Sequence, residues 1–119
     1  MQSTITQTPV LDHAQLRDIT LDDPDLMREI LSALIDDTGR QIELLDRAIQ
    51  DHDSQRCIRL AHYSKGACAN VGAVGAAALL KGIELDADKH QFEACSSALA
   101  NLVSELDRLR YEAGAIIGS

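Results

Sequence analysis

Apolar residues recur at steps of three and four along most of this chain, the period of helices that each bury one face. The cleanest run is the last. Phe92, Cys95, Leu99, Leu102, Leu106, Leu109, Ala113 and Ile116 alternate those steps without a break. A second long run, Leu26, Ile30, Ala33, Leu34, Leu45, Ala48 and Ile49, predicts a helix from Pro24 to about Asp51. Its start is marked by Asp23-Pro24, a capping aspartate with proline at the first helical position, and by Asp25 near the positive helix end. Thr38, Gly39 and Gln41 interrupt this stripe, either as tolerated polar positions or as part of a functional patch.

Asp51-His52-Asp53-Ser54 reads as a turn, with Asp53 or Ser54 capping a helix from about Gln55 to Asn70 that stops at Gly72. Its inward face should carry Cys57, Leu60, Ala61, Ser64, Ala67, Cys68 and Val71, small residues that imply a close helix neighbour. Arg59, His62, Lys65, Gly66 and Ala69 should face the other way. A fourth helix is expected from Val74 to about Lys89, packing through Ala77, Ala78, Leu80, Ile83, Leu85 and Ala87, before a polar turn over residues 86–91. Ahead of all these, residues 1–9 read as a flexible leader. Val10 to Thr20 holds Leu11, Leu16 and Ile19, enough for a short helix with Asp12 as its N-cap.

No strand-type alternation competes with this pattern. The expected fold is all-α: an antiparallel four-helix bundle with a short additional N-terminal helix, filling residues 10–119 as one domain. The last helix could instead form a coiled-coil seam that dimerises, but four helical segments with short connections favour an intramolecular bundle and a monomer.

Composition narrows the function classes. Apolar residues make up 45% of the chain but aromatics only 3%, so the core must be aliphatic. A net charge of −8 excludes the basic footprint of a nucleic-acid binder. The three cysteines, Cys57, Cys68 and Cys95, have no C-x-x-C spacing and read as small core positions. The first residues resemble no signal peptide, and no apolar run approaches the roughly 20 residues of a membrane span. A cytoplasmic protein is expected.

The candidate chemistry lies in the third helix. Lys65 follows His62 by one turn, and Gly66 stands next on the same face. A neutral imidazole is a nucleophile near neutral pH, a lysine offsets phosphate charge, and a glycine leaves room for a donor protein. Gly in a helix costs about 1 kcal/mol relative to Ala, so its place beside a histidine needs a reason. Each residue also has a plainer reading: a surface histidine, a solvated lysine, and a glycine required by close helix packing. His13, His52 and His90 sit at helix starts or turns, without metal-ligand spacing. No group on the page of the sequence identifies the partner that would fix the tautomer of His62.

His62-x-x-Lys65-Gly66, followed by Ala69-Asn70-Val71-Gly72-Ala73, resembles the signature of histidine phosphotransfer (HPt) domains of multistep phosphorelays. These are helical bundles that carry a phosphoryl group between receiver-domain aspartates without hydrolysing ATP. The resemblance runs from about Val10 to Ile116. It implies that His62 accepts phosphate through Nε2, with Lys65 and Gly66 beside it, and that no cofactor is bound by this chain. The metal, Mg2+, and the aspartate would belong to a response-regulator receiver domain, and a sensor or hybrid histidine kinase is the other implied partner. Two positions depart from the family: Ser64 stands where Leu is usual, and Cys68 where a small hydroxyl residue is common. A pure interaction module that is never phosphorylated is the alternative. A metal-dependent bundle enzyme has little support, since no Glu-x-x-His pair repeats on two helices.

Overall fold

The computed structural model describes residues 9–117, and the expected leader therefore lies, apart from the exposed Pro9, outside the described residues. Five helices follow in order: α1 (His13–Thr20), α2 (Pro24–Gln50), α3 (Ser54–Val71), α4 (Val74–Asp88) and α5 (Phe92–Ile117). Helices α2 to α5 form a closed ring in which each packs on the next and α5 returns to α2, while α1 lies across α2 and α3. No described helix is long and apolar enough to cross a membrane.

The caps act where the sequence places them. Asp12 Oδ1 accepts from Gln15 N at 3.1 Å, Asp23 Oδ1 from Asp25 N and Leu26 N, and Asp53 Oδ1 from Arg56 N. Ser54 is the first residue of α3, and its hydroxyl donates to Ala87 O at 2.6 Å, tying α3 to the end of α4. Asp12 has extended backbone angles, as an N-cap residue does, and α1 starts at His13. Val10 and Leu11 are buried in the lead-in.

The core is aliphatic and continuous, with Leu31, Leu45, Ala61, Leu80, Ile83 and Leu102 fully buried. All three cysteines are free and buried within it, as expected of small core positions. Two faces differ from the expected ones. In the first half of α2 the buried set is Met27, Leu31, Leu34 and Ile35, while Leu26 and Ala33 are exposed. Both sets obey the helical period, and the packing of neighbouring helices selects between them. In α4, Gly75 and Ala76 are buried whereas Ala78 and Leu85 are exposed. Nearly every residue from Val74 to Ile83 is apolar or glycine, so this stretch has no polar face to mark its outside. Thr38, the polar interruption of α2, is buried, with its hydroxyl 3.8 Å from Cys68 Sγ.

The α3–α4 hairpin positions the site. Gly72 ends α3 with φ +93, a left-handed conformation that suits glycine. A Cβ there would also meet Asp12 O at 3.0 Å, and Asp12 N donates to Gly72 O at 2.7 Å. From α1, Gln15 Nε2 donates to Ala69 O and Asn70 O, occupying carbonyls left open at the end of α3. With small side chains inside, α3 and α4 make the most extensive pairing in the bundle.

Candidate functional site

His62 lies near the middle of α3 on the face expected for it, with 68% of its side chain exposed. Its exposure follows from register: Ala61 and Ser64, on either side of it, are turned into the core. Lys65 is half-buried one turn further along, and Gly66 is exposed. The structure thus brings the three expected residues onto one strip.

A fourth residue joins them from α4. Glu84 Oε2 lies 3.1 Å from His62 Nδ1, and Lys65 Nζ donates to Glu84 Oε1 at 2.8 Å. One carboxylate therefore serves both partners, one oxygen each. The Lys65 hydrogen bond first, and the His62 hydrogen bond after it, hold the Glu84 carboxyl below the usual carboxylate range against the opposing effect of burial. An ionised carboxylate can only accept. Nδ1 must then carry the proton, which leaves the lone pair of the neutral ring on Nε2, the nitrogen not engaged by Glu84.

Sequence reasoning missed Glu84, although a signal existed. His62 and Glu84 stand eleven residues on either side of Ala73. In an antiparallel helical hairpin, positions equidistant from the turn face each other across the pair.

No atom beyond its own helix lies within 4 Å of a Cβ built on Gly66. The packing reason for that glycine is thereby removed, and what remains is bare backbone beside His62. The other histidines lie apart: His13 Nε2 is 3.0 Å from Glu112 Oε1, while His52 stacks on Phe92 with His90 at the ring's edge.

The bundle thus presents an exposed imidazole held at Nδ1 by a carboxylate from the next helix. Residues 29–112 match the Hpt domain family, and the chain belongs to that family, the histidine phosphotransfer proteins of phosphorelays. Two solved structures share its fold. The crystal structure of histidine-containing phosphotransfer protein B (HptB) from Pseudomonas aeruginosa PAO1 is similar at a TM-score of 0.83 and 24% identity, covering 92% of this chain and 95% of that one. A rice protein assigned as a histidine-containing phosphotransfer protein is similar at a TM-score of 0.81 and 19% identity, over 92% of this chain and 80% of its own. No curated protein matches the chain.

Proposed function

We propose that His62 is the phosphoacceptor and that the protein passes the group between receiver domains, without an ATP site of its own. One observation carries this reading: Glu84 holds Nδ1 of a largely exposed imidazole and leaves Nε2 unengaged by it. In the forward step the Nε2 lone pair attacks the phosphorus of a receiver aspartyl phosphate. The N–P bond forms, the P–O bond to the aspartate breaks, and its electron pair returns to the aspartate as carboxylate. Nδ1 keeps its proton throughout, held by Glu84, so no proton must move during transfer. Delivery to a second receiver is the same step reversed.

Phosphoryl transfer depends chiefly on in-line placement and charge stabilisation. On this reading the receiver supplies the aspartate and Mg2+, and this chain supplies the oriented nucleophile, bare backbone at Gly66, and Lys65. Lys65 offsets the charge of Glu84, so an incoming phosphoryl group does not meet an isolated carboxylate. A sensor or hybrid kinase is the second partner class, and the cytoplasm the compartment.

The test is phosphoramidate treatment of the purified protein, followed by intact mass and peptide mapping beside His62→Gln. A single acid-labile phosphate on His62, lost in the variant, is the expected result. Label on His13, His52 or His90 with none on His62 would overturn the reading and leave a binding module.

A further inference from the structure

The charges of this acidic chain are not mixed evenly. From Ser54 to Ile83, which is all of α3 and most of α4, there are four cations (Arg56, Arg59, Lys65 and Lys81) and no carboxylate. The rest of the chain holds seven cations and all nineteen acids.

The fold turns this segregation into a surface. Arg59 precedes His62 by one turn on α3 and Lys65 follows it by one turn, while Lys81 stands one turn before Glu84 on α4. Arg59 and Lys81 are exposed, and among the described residues neither has an ion pair. Arg17, Arg28, Arg40, Arg108 and Arg110, by contrast, are each within 4.0 Å of a carboxylate on its own or a neighbouring turn. Arg47 and Lys89, exposed and likewise without an ion pair among the described residues, lie outside the acid-free run from Ser54 to Ile83. The carboxylate nearest to His62, that of Glu84, is already matched by Lys65. Two exposed apolar side chains complete the face, Tyr63 at 56% and Leu85 at 53%. Exposed cations without an ion pair, beside exposed apolar side chains, are an arrangement by which a surface selects and steers a partner of opposite charge.

We infer, resting on His62 as the carrier, that the α3–α4 face docks receiver domains whose own docking face is acidic, and that Arg59 and Lys81 determine that specificity. These two residues touch no reacting atom. They act on encounter, by raising the association rate and by rejecting receivers with a basic face. The acidic remainder of the chain, repelled by such a partner, leaves this face as the favoured approach.

The experiment uses the full chain, phosphorylated on His62 with phosphoramidate, and a purified receiver domain of net negative charge. The second-order rate constant of phosphoryl loss to the receiver is measured in rising salt for wild type, Arg59→Glu and Lys81→Glu. Arg28→Glu, which changes net charge equally at the far end of α2, is the control. Raising salt from about 0.05 M to about 0.5 M should slow wild-type transfer about tenfold. Each charge reversal should slow low-salt transfer by about fivefold or more and flatten its salt dependence, with the control behaving as wild type. Rates that ignore salt, or a control that falls as far as Arg59→Glu and Lys81→Glu, would overturn the docking inference while leaving the carrier intact. Failure of wild-type His62 to take phosphate from phosphoramidate would instead remove the carrier reading on which it stands.

Discussion

Glu84 Oε2 stands 3.1 Å from Nδ1 of His62, across the gap between two helices joined by a tight turn. The same carboxylate binds Lys65, so the histidine, the lysine and the glutamate form one unit in which only the imidazole is largely exposed. Its consequences for reactivity and for stability can be measured separately.

Removing the carboxylate should slow phosphorylation. Glu84→Ala deletes a charge-assisted hydrogen bond, worth about 1.5–3 kcal/mol, and frees the ring to rotate and to place its proton on either nitrogen. The rate of His62 labelling by phosphoramidate should fall about tenfold or more. Glu84→Gln keeps an acceptor oxygen for Nδ1–H and should fall less. Equal rates in all three proteins would remove Glu84 from the site.

The same pair makes stability depend on pH. The Glu84 carboxyl is depressed below its ordinary 4.5 in the folded protein, chiefly by the Lys65 hydrogen bond. A depressed acid stabilises the fold above its unfolded value, and the stabilisation disappears as pH falls through the folded one. Urea unfolding should therefore rank wild type above Glu84→Gln at pH 7, with the gap closing below pH 4.5. A gap that persists at pH 2 would refute the assignment.

Two helical glycines should respond oppositely to alanine. Gly66 has open space where a Cβ would go, so Gly66→Ala should raise stability by about 0.5–1 kcal/mol. At Gly75 a Cβ would collide with the buried Glu105 carboxylate, reaching its Cδ at 2.8 Å. Glu105 is 6% exposed and is held at Oε1 by Arg108, so it has little room to move. Gly75→Ala should destabilise by about 1–3 kcal/mol despite the better helix former. Thermal unfolding of the two variants decides.

Ser64 is a polar residue in an apolar place. It is 1% exposed, and its hydroxyl has no hydrogen-bond partner among the described residues. Leaving a buried hydroxyl unpaired costs about 1–3 kcal/mol, so Ser64→Ala should raise the denaturant midpoint by the equivalent of about 1 kcal/mol. A lower midpoint would show that the hydroxyl is engaged in solution.

The buried thiols should be inert. Burial, above all other causes, raises the pKa of Cys57 and Cys68 and pushes Cys95 up to about 11. Thiolate is the reactive form, so a disulfide reagent at pH 8 should react with none of the three until denaturant is added. Rapid modification of the native protein would contradict the burial.

What the sequence determined by itself was local. Asp12, Asp23 and Asp53 as caps, Gly72 as a stop, the seam of α5 and the outward face of His62, Lys65 and Gly66 all depend on interactions within about four residues, and the one-dimensional pattern records them. The family signature is local too, since it lies within one helix and its turn. Tertiary structure decided what depends on register between helices. It selected Met27 and Leu31 over Leu26 and Ile30 as the inward line of α2, because both lines fit the period. It set Glu105 against Gly75, thirty residues away, and it brought Glu84 to His62. A carboxylate on a polar turn of α4 looks the same in sequence whether it faces water or a histidine. Only the way two helices lie against each other makes it the group that holds Nδ1 of His62.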